Sequence, residues 1–155
     1  MNYSQLNLFD TVNGDGCRVS LFVSGCNFGC KGCWNPETWD FKNGELFTDD
    51  TLNDIVNTLN SNSFYSGLSL LGGDPLAKRN LDTVLHIVKT VKEKCPNMNI
   101  WLWSGYYLNE IAGDIRTEIL KYIDVFVDGP YIEELRDTEL QYRGSSNQTV
   151  HYLTK

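Results

Sequence analysis

Hydrophobic and polar residues alternate along "CRVSLFV", where Val19, Leu21 and Val23 interleave with Arg18, Ser20 and Ser24. A period of two predicts a strand with one buried face. The period then lengthens. After a turn at Asn43-Gly44, "TDDTLNDIVNTLN" places Leu52, Ile55, Val56 and Leu59 at i, i+3, i+4 and i+7 behind Thr48, Asp49 and Asp50, which predicts a capped amphipathic helix. A short apolar run, "LSLL", closed by Gly72 and Gly73, reads as a second strand. From about Asn80, Leu81, Val84, Leu85, Val88 and Val91 form one helical face, and Pro96 ends it. "NIWLW" and "DVFVD" read as two further strands, separated by a helix over "DIRTEILKYI" with Ile115, Ile119 and Ile123 on one side. Trp101 and Trp103, two apart on a strand, share a face and are expected in the core.

Strands alternating with helices predict an α/β fold with right-handed crossovers and a mainly parallel sheet. With 155 residues, the chain is too short for a closed eight-fold barrel, which takes about 250 residues. The expectation is therefore a partial (βα) barrel of about four to six strands in a single domain, residues 1–155, with no repeat, linker or low-complexity tract. The loops "SGCNFGCKGCWN", "GGDP", "SGYY" and "DGPY" each follow a strand. Ligands in parallel α/β folds bind at the carboxyl ends of strands, so these four loops are expected to meet at one site.

Composition narrows the function classes. No run of about 18 apolar residues occurs, so no membrane-spanning helix is expected. "MNYSQLNLFD" lacks the basic and apolar regions of a signal peptide, and the cytoplasm is the expected compartment. The net charge of −7, with Lys and Arg scattered, argues against a nucleic-acid partner. Five cysteines, an odd number in a reducing compartment, point to metal or catalysis rather than to a disulfide framework.

Cys26, Cys30 and Cys33 are spaced C-x3-C-x2-C in a glycine-containing loop, whereas Cys17 and Cys95 flank regular elements and are expected to be small buried hydrophobes. Three thiolates packed so closely suit one compact metal centre. Structural zinc usually takes four ligands, and neither His86 nor His151 supplies an obvious fourth. Cubane iron-sulfur clusters are generally held by four cysteines, so a cluster held by three leaves one iron open for a substrate or cofactor. A non-catalytic zinc-binding interaction module is the alternative.

The C-x3-C-x2-C motif after the first strand resembles the signature of the radical S-adenosylmethionine enzymes, a superfamily built on partial or complete (βα) barrels. The resemblance implies a [4Fe-4S] cluster on Cys26, Cys30 and Cys33, its fourth iron chelated by the amino and carboxylate groups of S-adenosylmethionine. "GGDP" resembles the family's glycine-rich motif, which implies that Gly72, Gly73 and Asp74 line the methionyl end of the cofactor. Asp74 is read either so or as a helix N-cap, and Ser104 either as a cofactor contact or as a strand cap. Many members carry an aromatic residue before the third cysteine; here it is Gly32. A glycine cannot stack, so adenine contact is expected from the backbone of Gly32, Cys33 and Trp34 or from another loop.

The segments "GCNFGCKGCWNPETWDF", "LSLLGGDPL", "WLWSGY", "IDVFVDGPY" and "YRGSSNQTV" together look like the activating proteins of anaerobic ribonucleoside-triphosphate reductase, a subfamily in which glycine before the third cysteine is usual. The resemblance implies reductive cleavage of S-adenosylmethionine to methionine and a 5′-deoxyadenosyl radical, which takes a Cα hydrogen from a glycine near the C-terminus of the large reductase subunit. It implies three partners: that subunit's glycine loop, an electron donor such as a flavodoxin, and a second copy, as a homodimer within a heterotetramer. An activase of another glycyl-radical enzyme, of the pyruvate formate-lyase type, is a further alternative. "RGSSNQ", Arg143 to Gln148, is read either as a partner or cofactor segment or as a solvated tail.

Overall fold

The computed structural model describes residues 1–33 and 36–153. The period-two run becomes a strand, Cys17–Val23 (β2), but it is not the first. Asn2–Asp10 (β1) pairs with it antiparallel, and the two-residue strand Glu45–Leu46 (β3) pairs with the start of β1. Asp49–Ser61 (α1) follows, capped by Thr48 in a reciprocal box with Thr51. Tyr65–Gly72 (β4), Leu81–Lys94 (α2), Asn99–Trp103 (β5), Ile115–Leu120 (α3) and Val125–Asp128 (β6) complete the alternation, and Thr149–Tyr152 (β7) closes the chain antiparallel to β6.

Among the described residues the sheet has seven strands in the order β3-β1-β2-β4-β5-β6-β7. This corrects the expectation of a mainly parallel sheet of four to six strands. The four strands read from the sequence are its parallel centre, joined through crossovers, and β1, β3 and β7 add antiparallel flanks. The flanks escaped notice for a physical reason: β1 is mostly half-exposed and polar, and β3 and β7 are too short to show a period.

One hydrophobic core unites Leu52, Ile55 and Leu59 of α1, Val84, Ile87 and Val88 of α2, and Ile119 with the sheet residues Val19, Leu21, Leu68, Leu70, Ile100, Leu102 and Phe126. Alternation along each strand turns the intervening residues to the opposite, helix-free face. Trp101 and Trp103 do share a face, but it is this one. Trp101 is buried against Trp103, Tyr142 and the Arg18 guanidinium, while Trp103 lines a cavity.

Arg18 is fully buried there, and Ser69 Oγ (2.7 Å), Asp15 O (3.0 Å) and Leu68 O (2.9 Å) accept its protons. Burial pulls its pKa down to about 10, so it remains charged near neutrality. Cys95 is buried in the helical core, as expected of a small hydrophobe, and Cys17 is half-buried at the start of β2. The fold thus puts its main hydrophobic core on one side of the sheet and its cavity on the other.

Candidate active site

Beyond β2 the chain enters the cysteine loop through Gly25, whose φ of +104° and whose closeness to the Phe41 ring leave no place for a Cβ. The turn after β4 docks on this loop backbone to backbone. Gly73 N–H donates to Val23 O (2.7 Å) and Asp74 N–H to Gly25 O (2.7 Å). A Cβ on Gly73 would lie 2.6 Å from Gly25 O, so the double glycine is what allows the approach. Asn80 reinforces the joint, donating to both Ser24 O (3.1 Å) and Asp74 O (3.0 Å).

The turn after β5 is tied in through Asp74, which is 1% exposed. Its Oδ1 accepts from Ser104 Oγ (2.8 Å) and Leu76 N–H (2.9 Å), and its Oδ2 from Gly105 N–H (3.1 Å). Burial pushes the carboxyl up to about 6, against the pull of those donors. Asp74 is not the N-cap of α2; that position belongs to Asn80. Ser104 caps the end of β5, its hydroxyl accepting from Tyr106 N–H (3.1 Å), and it also lines the cavity.

The fourth loop is braced by "RGSSNQ", which is no solvated tail. Gln148 Nε2 donates to Gly129 O (2.9 Å), while Asn147 Nδ2 donates to Pro130 O (2.8 Å) and to the Tyr107 hydroxyl (2.9 Å). Gln148 Oε1 in turn accepts from Gly144 N–H (2.9 Å) and Ser145 N–H (3.1 Å).

All four loops border one cavity of about 580 Å³ on the helix-free face. Cys26, Cys30, Cys33, Gly72, Gly73, Asp74 and Ser104 all reach its wall. Gly32 does not: it has φ +74° and lies in the same loop, but a Cβ there would meet the Glu133 carboxylate. Trp34 lies outside the described residues. Sequence reasoning missed Phe28, which lines the cavity edge-on to Tyr106 (5.1 Å) and abuts Gly105; an aromatic inside the cysteine motif was the available signal. Trp39 was missed too. It lines the cavity and carries a buried indole N–H without a hydrogen-bond partner among the described residues.

Cys26, Cys30 and Cys33 are all half-buried. Burial pushes the Cys26 thiol up to about 11 and raises Cys30, while backbone N–H groups of Phe28 and Tyr131 hydrogen-bond the two sulfurs and favour the thiolates. Among the described residues no three His, Cys, Asp or Glu side chains converge on a single metal ion. One zinc would draw its sulfurs to about 4 Å of each other, since Zn–S bonds are about 2.3 Å. A polynuclear cluster spreads its ligands over separate corners. Three cysteines lining one cavity, with amide donors already aimed at two of the sulfurs, fit such a cluster, and the glycine turn borders the same space.

Residues 12–151 match the family model described as a 4Fe-4S single cluster domain. The chain is similar to the anaerobic ribonucleoside-triphosphate reductase-activating protein of Vibrio cholerae, at 46% identity over 155 residues and 99% of each chain. It is similar to the Escherichia coli K12 protein of the same name at 43% identity, again over 99% of each. A bacteriophage T4 protein of that name is 45% identical over 97% of this chain and 93% of its own.

Proposed function

The chain belongs to the family of anaerobic ribonucleoside-triphosphate reductase-activating proteins, and from that premise we propose that its cysteine cavity is the site at which the reductase is activated. The protein is a radical S-adenosylmethionine enzyme with a [4Fe-4S] cluster. Cys26, Cys30 and Cys33 hold the cluster, and Gly72, Gly73, Asp74 and Ser104 line the methionyl end of S-adenosylmethionine, with Cys33 the member of the Gly32-to-Trp34 stretch that reaches the cavity to serve the adenine.

When bound, the reduced cluster supplies the electron that cleaves the sulfonium to methionine and a 5′-deoxyadenosyl radical, which converts a glycine of the reductase into a glycyl radical. The chain's own residues do the positioning. The missing side chains of Gly72 and Gly73 bring the turn against the cysteine loop, so ligands held by either keep a fixed separation. Asp74 holds Ser104 and Gly105 to the same frame. Amides of Phe28 and Tyr131 offset negative charge on the sulfurs and so tune the potential. Leu71, Trp103 and Val127 give the cavity an apolar floor that limits water.

The partner at the site is the C-terminal glycine loop of the large reductase subunit. An electron donor such as a flavodoxin serves the cluster, and the protein works in the cytoplasm as a homodimer within a heterotetramer. No helix among the described residues is long and apolar enough to cross a membrane. The observation that carries this reading is that all three clustered cysteines and the Gly-Gly-Asp turn line one cavity. Anaerobic reconstitution with iron and sulfide, followed by electron paramagnetic resonance with and without S-adenosylmethionine, tests it. A reduced-cluster signal that shifts with the cofactor, then a glycyl-radical signal on the reductase, is the expected result. A colourless protein holding one zinc would overturn it.

A further inference from the structure

Between β6 and β7 the chain makes a long excursion over the helix-free face. Its base is closed by the bridge between Arg136 and Ser145 and by Asp137 N–H donating to Gly144 O (3.1 Å). Within the excursion, Glu139 N–H and Leu140 N–H both turn back onto Asp137. Asp137, Thr138, Glu139 and Gln141 are exposed. The tip is held at Tyr142, whose carbonyl accepts from Trp103 Nε1 (2.7 Å), whose ring stands edge-on to Trp101 (4.9 Å), and whose hydroxyl donates to the Asp15 carboxylate. Asp15 lies in the loop between β1 and β2. The contact therefore spans from the β5 side of the sheet to the β2 side.

Thr138, Leu140, Tyr142 and Arg143 line the same cavity as the cysteines. Tyr142 has φ +66°, the sole positive value among the described non-glycine residues, in a region where strain gathers at switches and clamps. The volume supplies the remaining step. A cavity of about 580 Å³ falls within the roughly 300–1,000 Å³ of small-molecule sites. It can hold one cofactor-sized ligand, but not a peptide loop as well.

We propose that residues 138–143 are a lid over the cysteine cavity, latched by Tyr142 on Asp15, which swings aside to admit the peptide loop of the reductase. The proposal rests on the function given above. A closed lid taxes the apparent affinity for the peptide by the fraction of molecules that are open, so weakening the latch favours the protein substrate. Cofactor cleavage in the absence of the reductase needs no opening.

The test uses the cluster-loaded protein, wild type and Asp15→Ala, with Tyr142→Phe as a second variant that keeps the ring against Trp101. Amide exchange at 138–143 is expected to rise about fivefold or more in both variants, with β5 unchanged. The reductase concentration giving half the maximal rate of glycyl-radical formation is expected to fall about threefold to tenfold. Cleavage of S-adenosylmethionine without reductase should not change in Asp15→Ala. Unchanged exchange, or a half-saturating concentration that stays level or rises, would overturn the lid. A wild-type protein that cleaves S-adenosylmethionine yet leaves no radical on the reductase would overturn the function instead, and the lid would then stand or fall on the exchange alone.

Discussion

Ser104 donates its hydroxyl to Asp74 across 2.8 Å, joining the turns that follow β4 and β5 beneath the cavity. Removing that acceptor strands three donors, those of Ser104, Leu76 and Gly105. A buried donor left unpaired costs about 1–3 kcal/mol, and the relief of a buried carboxyl offsets part of the total. Asp74→Ala should lose roughly 2–4 kcal/mol in urea titration and most of its cofactor cleavage.

The same carboxyl gives the stability a pH signature. Its pKa rises from 3.8 to about 6 on folding, so the folded protein binds the proton more tightly than the unfolded chain. The contribution of Asp74 is then most favourable below the lower value and is lost as pH rises through about 6. Asp74→Asn removes this dependence while keeping one oxygen acceptor. Measured from pH 4 to pH 7, the stability difference between variant and wild type should move in the variant's favour by roughly 2 kcal/mol. A difference that stays flat would refute the shift.

Glycines in the two joined loops are not equivalent. Gly73→Ala puts a methyl 2.6 Å from Gly25 O and must part the turn from the cysteine loop. Gly29 has φ +57° but nothing within 4 Å of its would-be Cβ. Gly29→Ala should cost about 1–2 kcal/mol for conformation alone, whereas Gly73→Ala should cost at least that much through overpacking and should also lose cofactor binding. Thermal melts paired with cofactor titration separate the two.

The five cysteines should divide cleanly. Replacing Cys26, Cys30 or Cys33 with Ala is expected to abolish the brown colour and the bound iron after reconstitution. Cys17→Ala and Cys95→Ala should keep both, with Cys95→Ala costing roughly 1 kcal/mol from the core. Iron and sulfide assays on the five variants decide it.

Cluster loading should depend on pH in a defined direction. Burial raises Cys26 to about 11, so the metal-free protein holds that thiol protonated at neutrality, and iron must displace the proton. The apparent affinity for iron should rise about tenfold per pH unit for each thiol proton released, over roughly pH 6 to 8. Competition with a chelator measures the slope. A loading equilibrium indifferent to pH would mean that the thiolates are already formed.

Much of the fold could be read from periodicity. The four parallel strands and three helices announce themselves because each buries a face at a fixed spacing, as Val19, Leu21 and Val23 do on β2 and Leu52, Ile55 and Leu59 do on α1. β1 hides because it is polar and half-exposed, and β7 because four residues carry no measurable period. The cysteines, the double glycine and Ser104 were visible as short local motifs. Their supports were not. Asn80 reaches 56 residues back to Ser24, and Asn147 reaches 40 residues to Tyr107, and hydrogen bonds of that span leave no trace in local spacing. Trp101 and Trp103 were correctly given a common face, but alternation alone does not say which side of the sheet the helices will cover.

That one-sided covering makes the molecule separable by experiment. A truncation such as Val88→Ala, on the side where the helices lie, should be read by a calorimeter and hardly at all by a turnover assay. A change at an exposed residue of the cavity, such as Phe28, should do the reverse. The sheet stands between the helical core and the cavity, so the melting temperature can be rebuilt from the helical side without touching a residue that lines the site.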